Sequence, residues 1–225
     1  KDEWCWHNIS YIKKLNDQQI NDSHVPETPK SWSSNGRQWL TTLDIANVLE
    51  QYEKTIDDFL FLGPVPIDFD KSDSNGKCLV DELCKLKYSD LINNNIRKLG
   101  IVFNLDPHDQ PGSHWVALYA DLSKNLIFYF DSYGLEPPNE VENLMKRLKT
   151  EGKEHDINNN VDLYYNDIRH QFKNSECGVY CIHFIVQFLE GLVPKDIIEN
   201  VIFDDDMNAN RKKYFRPYTE INKQK

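Results

Sequence analysis

A histidine, an aspartate, a glutamine and a cysteine follow one another along the chain in an order that suits thiol chemistry. They are His114, Asp131, Gln171 and Cys177. A histidine can take the proton of a nearby thiol, and an aspartate can hold the imidazole in one orientation. A glutamine amide can help a backbone N–H to stabilise the oxyanion of a tetrahedral intermediate. Together the four residues predict attack by a thiolate on an acyl carbon, with one residue for each role.

The expected nucleophile is Cys177, which begins the predicted helix Cys177–Leu189. A free cysteine titrates near pH ~8.5, and the thiolate is the reactive form. The positive end of the helix and a neighbouring imidazolium would both favour the thiolate. Gly178 leaves room for another segment or a substrate to approach closely.

A predicted β-hairpin would bring the histidine and the aspartate together. Its strands are His114–Leu122 and Asn125–Tyr133, and Ser123–Lys124 forms the turn. In a tight hairpin the start of the first strand lies beside the end of the second. We therefore expect His114 and Asp131 to be cross-strand neighbours.

Each of the four residues also has an ordinary structural interpretation. Cys177 alone could be a core residue at a helix start, and His114 alone a packed strand residue beside Trp115. Asp131 alone could form an Asx turn, and Gln171 alone could lie on the surface. The functional interpretation depends on all four residues converging. The remaining histidines are weaker candidates, because they lie in polar segments, next to Gln171 or inside the buried helix.

The cysteines favour neither a metal site nor disulfides. Cys177 and Cys181 have no second pair at zinc-finger spacing, and His183 is too close in sequence to complete such a site. We therefore expect no metal and no cofactor. The chain has five cysteines, an odd number, and a polar N-terminus without a recognisable signal peptide. We accordingly expect all five to be reduced thiols in an intracellular compartment.

Composition excludes several other classes of protein. The 225 residues suffice for one domain with a substantial core. A net charge of −10 argues against nucleic-acid binding as the main function, although Arg211-Lys212-Lys213 could form a local basic patch or a solvated helix face. No run of apolar residues is long enough to suggest a membrane span.

The order of the predicted elements indicates an α+β fold with a central mixed sheet and a buried helix that carries the nucleophile. We expect an N-terminal extension over residues 1–35, including a short amphipathic helix between Trp4 and Leu15, and one catalytic domain over residues 36–225. The predicted helices are Thr42–Lys54, Cys78–Lys85, Ser89–Lys98 with Ser89 as N-cap, Asn139–Thr150, Cys177–Leu189, Lys195–Val201 and Asp205–Tyr214. Besides the hairpin, strands are predicted within Asp57–Phe69, at Gly100–Leu105 and at Val161–Ile168.

Three segments resemble the ubiquitin-like-protein (SUMO) proteases and the adenovirus-type proteases. They are Ser113-His114-Trp115-Val116-Ala117-Leu118, Phe130-Asp131-Ser132-Tyr133-Gly134, and Gln171 through Glu176-Cys177-Gly178-Val179-Tyr180. Within that group the chain is most similar to the virion-maturation proteases of large cytoplasmic DNA viruses. The residues that carry this likeness are Asn166-Asp167-Ile168-Arg169-His170-Gln171 and the segment Asp204-Asp205-Asp206-Met207 with Arg211, Phe215 and Arg216.

The resemblance implies a papain-like architecture and roles for two tryptophans. Trp115 would cover the catalytic site, and Trp39 would line a narrow channel for glycines, since flat indoles leave room for a backbone without side chains. Cellular SUMO proteases usually carry Trp-Leu-x-Asp at this place, whereas here the sequence is Trp39-Leu40-Thr41-Thr42. Trp39 could instead be a plain core residue.

The leading hypothesis is a cysteine endopeptidase that cleaves after glycine, at Gly-Gly-x sites of viral structural or core polyproteins. It would act in the host cytoplasm or the virion on protein substrates, without a membrane. The alternative is a protease that deconjugates SUMO or ubiquitin-like modifiers. Acyl transfer, for which the sequence offers no basic acyl-CoA pocket, and a non-catalytic binding module are the other hypotheses.

Overall fold

A computed structural model describes residues 25–155 and 160–218 of the chain. The described helices are α1 (Thr42–Thr55), α2 (Asp81–Cys84), α3 (Tyr88–Asn93), α4 (Asn139–His155), α5 (Cys177–Leu189), α6 (Pro194–Glu199) and α7 (Asp204–Tyr214), with a 3-10 turn at Lys30–Ser33. The strands are β1 (Phe59–Pro66), β2 (Lys98–Asn104), β3 (Trp115–Asp121), β4 (Leu126–Phe130) and β5 (Asp162–Tyr165).

The five strands form one mixed sheet in the order β1-β2-β3-β4-β5. The outer pairs, β1 with β2 and β4 with β5, are parallel. The two inner pairs are antiparallel, and β3 and β4 form the predicted hairpin. The α+β class with a central mixed sheet is confirmed.

Helix α5 packs against one face of the sheet, where Ala117 and Tyr119 of β3 join its core. Val116 and Leu118 point to the opposite face and belong to a second core that includes α4. Because strand side chains alternate between faces, a strand covered on both sides must be apolar throughout. Every residue of β3 is buried, and all but two residues of α5 are buried as well. The prediction of a buried helix that begins with Cys177 is confirmed.

Two predicted boundaries near the chain centre are wrong. Helix α3 begins at Tyr88 after Lys87, so Ser89 is not its N-cap. The helix ends at Asn93, and Lys98, expected to end it, instead begins β2 beside Phe59. Pairing with β1 takes precedence there over the local helical pattern.

Residues 25–35 pack against the segment that follows α7. Thr28 N–H donates to the Arg216 carbonyl at 2.9 Å. The Trp32 ring meets Phe215 edge-on, with 4.9 Å between the ring centroids. The helix predicted between Trp4 and Leu15 lies outside the described residues, and the boundary at residue 35 stays a prediction.

The expectation of five reduced cysteines is wrong for one pair. Cys78 and Cys84 form a disulfide, with their Cα atoms 6.5 Å apart. The segment before α2 folds back on itself through a bridge between Ser72 and Cys78. Both sulfurs lie beside the Phe69 carbonyl, Cys78 Sγ at 3.2 Å and Cys84 Sγ at 3.9 Å. Cys177 and Cys181 are free and buried. The redox state of a cellular compartment does not determine whether a local turn brings two cysteines together.

Candidate active site

His114 and Asp131 meet at the open end of the β3–β4 hairpin, as predicted. His114 precedes β3 directly and Asp131 follows β4 directly. His114 Nε2 lies 2.7 Å from Asp131 Oδ1, and both side chains are buried. Because Ala117 pairs with Phe130, the imidazole reaches the carboxylate diagonally rather than from the opposite position.

A second polar residue fixes the backbone at the aspartate. The Asp131 N–H donates to Asn166 Oδ1 at 2.9 Å, and Asn166 Nδ2 donates to the Asp131 carbonyl at 2.7 Å. The Tyr133 N–H donates to Asp131 Oδ1 at 2.8 Å. Asn166 is fully buried just after β5, so this strand positions the carboxylate. Sequence reasoning gave Asn166 no such role.

The thiol of Cys177 lies in hydrogen-bonding contact with the His114 ring. Since Nε2 faces Asp131, Nδ1 is the ring nitrogen left for the sulfur. Burial opposes a charge on His114, but the hydrogen bonds and charges of Asp131 and Cys177 outweigh burial and raise the pKa of His114 to about 9. An imidazolium at neutral pH beside the thiol can stabilise a thiolate.

Gln171 is buried, so the alternative of a surface glutamine is wrong. Its Oε1 accepts a hydrogen bond from Ser132 Oγ at 2.6 Å, and its Nε2 donates to the Lys173 carbonyl at 2.8 Å. Its backbone N–H also donates to the Ser132 carbonyl. A side-chain amide has two N–H groups, so one donor is left after the bond to Lys173. These contacts join the loop before Cys177 to the end of the hairpin.

The first turn of α7 holds the loop between Gln171 and Cys177. Asp204 Oδ2 accepts from the backbone N–H groups of Phe172 at 2.8 Å and Lys173 at 3.1 Å. Arg211, about two turns further along α7, donates to the Ser175 carbonyl at 3.2 Å. Arg211 is buried over the Trp32 ring. It therefore belongs to neither the suggested basic patch nor a solvated face.

An ion pair that sequence reasoning missed lies directly beside Cys177. Glu176 is fully buried, and Arg37 Nη1 lies 3.0 Å from its Oε1. Arg37 also pairs with Asp205 at the start of α7. Arg37 and Glu176 are 139 positions apart, so no local pattern could reveal the pair.

The Tyr133 ring stacks on the imidazole of His114. The ring centroids are 4.4 Å apart and the planes differ by 12°. A tyrosine face attracts a cation, so the stack favours the charged form of the imidazole and limits its rotation. Tyr133 belongs to one of the three segments that carry the family resemblance, but the sequence alone does not indicate this stack.

The two predicted substrate-binding tryptophans line one cleft of about 580 Å³. Trp39 is 41% exposed, so the alternative of a plain core residue is wrong. Trp115 is buried and its Nε1 donates to the Leu40 carbonyl at 3.0 Å. Leu40 also packs on Gly178, where an added Cβ would lie 2.9 Å from the Leu40 Cβ. One segment therefore contacts both Trp115 and the start of α5.

The other described histidines lie apart from this constellation. His170 is buried edge-on to Phe130, and His183 bonds to the Tyr214 hydroxyl at 2.6 Å. His108 pairs with Asp68 at 2.7 Å on the wall of the cleft. Within residues 25–155 and 160–218, no cluster of histidine, cysteine and acidic side chains is suited to hold a metal ion. Over the same residues, no helix is both long and apolar enough to cross a membrane.

Known proteins are similar to this chain in both sequence and fold. The Ulp1 protease family, C-terminal catalytic domain, matches residues 95–225. Protein R355 of Acanthamoeba polyphaga mimivirus, which carries the name of a thiol protease, is 31% identical over 215 residues, covering 96% of this chain and 69% of R355. Cysteine protease S273R of African swine fever virus is 35% identical over 120 residues, covering 52% of this chain and 43% of S273R.

Two crystal structures show the same fold. The African swine fever virus pS273R protease superposes with a TM-score of 0.74 at 22% identity, covering 97% of this chain and 84% of that one. The Ulp1 protease domain, solved in complex with Smt3, the yeast orthologue of SUMO, superposes with a TM-score of 0.50 at 19% identity. That match covers 82% of this chain and 89% of the Ulp1 chain.

Proposed function

The chain belongs to the Ulp1 protease family and is a cysteine protease, and we propose that it is an endopeptidase that cleaves after glycine with Cys177 as nucleophile. The observation that carries this proposal is the contact series Asp131–His114–Cys177 at the start of a buried helix. Each group has a partner that fits its role, and the three converge from a hairpin and α5.

The proposed reaction begins when the Cys177 thiolate attacks the scissile carbonyl carbon. The carbonyl oxygen becomes an oxyanion, for which the free N–H of Gln171 and the backbone N–H of Cys177 are the proposed donors. The His114 imidazolium then gives its proton to the leaving amine, the C–N bond breaks, and a thioester remains on Cys177. Water, deprotonated by His114, attacks the thioester and releases the acid and the thiol.

A preference for glycine fits the cleft that contains Trp39 and Trp115. Two indoles beside one groove bind a backbone well when no side chains keep it away, and side chains larger than hydrogen would collide with them. Trp115 is fixed by its bond to the Leu40 carbonyl, which makes its wall of the groove rigid. We propose that Trp39 and Trp115 hold the substrate residues before the scissile bond.

The biological role that we propose is the processing of viral structural or core polyproteins in the host cytoplasm or the virion. Its support is the origin of the relatives, since R355 and S273R are both viral proteins. The alternative role is deconjugation of a ubiquitin-like modifier, which the solved complex of Ulp1 with Smt3 favours. The two roles share the chemistry and differ in whether the substrate is a short peptide segment or a folded domain.

Wild-type protein should hydrolyse a fluorogenic peptide that ends in Gly-Gly, and Cys177→Ala should lower the rate to the uncatalysed background. Cys181→Ala is the matched control, because it removes a buried thiol from the same helix outside the proposed triad. Glycine peptides cleaved equally by wild type and Cys177→Ala would refute the mechanism. Faster hydrolysis of a ubiquitin-like C-terminal conjugate than of the peptide would favour deconjugation.

A further inference from the structure

An exposed row of aromatic side chains and one guanidinium begins at the catalytic imidazole. Tyr133 stacks on His114, and the guanidinium carbon of Arg169 lies 5.0 Å from the centre of the Tyr133 ring. The same carbon lies 5.1 Å from the Phe172 ring, which in turn is 5.9 Å from Phe203. We call Tyr133, Arg169, Phe172 and Phe203 the aromatic platform.

The platform is held in place but its outer rings are open to solvent. Arg169 Nε donates to the Gln171 carbonyl at 2.6 Å, and Asp204 anchors the Phe172 backbone. Phe172 is 58% exposed and Phe203 57% exposed. Two neighbouring exposed phenylalanines at the rim of a reaction centre form an apolar surface that a partner can cover.

The proposed proton transfer from His114 indicates which part of a substrate lies near the aromatic platform. The leaving amine takes its proton from His114, so it must lie within hydrogen-bond reach of that ring. The residues after the scissile bond therefore start beside the imidazole on which Tyr133 stacks. The tryptophan cleft does not include any platform residue among its walls. The tryptophan cleft can therefore take the residues before the scissile bond, while the aromatic platform takes the residues after it.

We propose that the aromatic platform is a binding subsite for the leaving segment, and that it selects an aromatic or large aliphatic side chain among the first three residues after the scissile bond. This proposal rests on the endopeptidase function proposed above. An apolar side chain would cover Phe172 and Phe203, while the backbone of the leaving segment passes over Arg169. Aromatic contacts of this kind are directional enough to give about a tenfold preference in kcat/KM over serine or aspartate.

The test is digestion of a proteome-derived peptide library, with the cut ends sequenced by mass spectrometry. Residues before the cut report on the proposed glycine preference, and residues after the cut report on the platform. The two readouts are independent, so a failure of one proposal is distinguished from a failure of the other. We expect Phe, Tyr and Leu to be enriched after the cut by about tenfold for wild type.

Phe172→Ser should abolish the enrichment after the cut, measured as a ratio of products within that variant. Val193→Ser is the matched control, because Val193 is an exposed apolar residue beyond the C-terminal end of α5, a helix about 18 Å long that begins at Cys177. It should keep the wild-type ratio. A wild-type protein without enrichment after the cut, or a Phe172→Ser protein that retains it, would overturn the subsite even if glycine dominates before the cut.

Discussion

At the scale of single residues, the proposed site holds its charged groups in pairs within a buried region. Asp131 and Cys177 face the two ring nitrogens of His114 and raise its pKa to about 9 despite burial. Because the pKa is raised above the usual 6.5, the charged histidine stabilises the fold fully below about pH 6.5, and this contribution is lost as pH rises through 9. The imidazolium that the proposed mechanism requires to protonate the leaving amine is lost over the same range.

The pH profile of kcat/KM should therefore have an alkaline limb near pH 9. Asp131→Asn removes the carboxylate charge, so the pKa of His114 should fall and the limb should move toward neutral pH. The rate should also fall by about 100-fold or more, since the imidazole loses its orienting partner. Asp121→Asn, a buried aspartate at the far end of the hairpin, should leave the limb in place. An unmoved limb in Asp131→Asn would disprove the coupling.

The Arg37–Glu176 pair should behave as a coupled unit. Arg37→Met leaves a buried carboxylate beside Cys177 without its ion-pair partner, and we expect a measurable loss in the free energy of unfolding. Glu176→Gln should cost less. The double variant should recover most of the loss, because the uncompensated charge is gone. Urea unfolding of all four proteins measures the coupling, and additive losses would contradict it.

At the scale of secondary structure, close contact between a loop and a helix fixes the position of the cleft relative to Cys177. Leu40 touches Gly178 at the start of α5 and accepts the hydrogen bond of Trp115. The helix therefore cannot move relative to the tryptophan wall without losing this contact. The loop of residues 171–176 is held similarly by Asp204 of α7.

Gly178→Ala should disturb this alignment. Its Cβ would meet the Leu40 Cβ at 2.9 Å, so we expect overpacking to cost about 1–3 kcal/mol of stability and kcat/KM to fall. Gly36→Ala is the matched control, because its Cβ would meet nothing nearer than the Trp32 carbonyl at 4.0 Å. Unfolding and peptide hydrolysis measured together would show both effects. A Gly178→Ala protein as stable and active as wild type would rule out the tight contact.

At the scale of the whole molecule, the two ends of the described chain join on one side of the domain. The Trp32 ring lies between Phe215 and the guanidinium of Arg211, which also holds the Ser175 carbonyl. Residues 25–35 therefore contribute to the same structure that supports the loop before Cys177, although the sequence predicts them as an extension.

Trp32→Ala should lower the free energy of unfolding by about 2–3 kcal/mol, since a half-buried ring and a cation–π contact are lost. Trp39→Ala serves as the comparison, because Trp39 is partly exposed at the wall of the cleft. It should change stability little and reduce peptide hydrolysis. Thermal unfolding and kcat/KM of both variants separate the two roles. Equal stability losses in both would show that the assignment of the tryptophans is wrong.

The sequence predicts the parts of the structure that depend on local pattern. Helix α5 matches its predicted bounds, and the hairpin register brings His114 and Asp131 together as expected. The sequence does not predict contacts between residues that are far apart in the chain, such as Arg37 with Glu176 or Asn166 with Asp131. The sequence does not predict the Cys78–Cys84 disulfide either, because the spacing of the two residues does not by itself require the turn that joins them. The wrong helix end at Lys98 reflects strand pairing with Phe59, which lies beyond the window of a helical pattern.

The two ends of the β3–β4 hairpin differ in a way that has a practical use. Its closed end, where Asp121 accepts hydrogen bonds from Ser123 and Lys124, lies about 20 Å along the strands from the imidazole. Ser123 and Lys124 are exposed. A short epitope or fluorophore acceptor inserted between them would sit remote from the chemistry, which makes this bend the natural place to label a working enzyme.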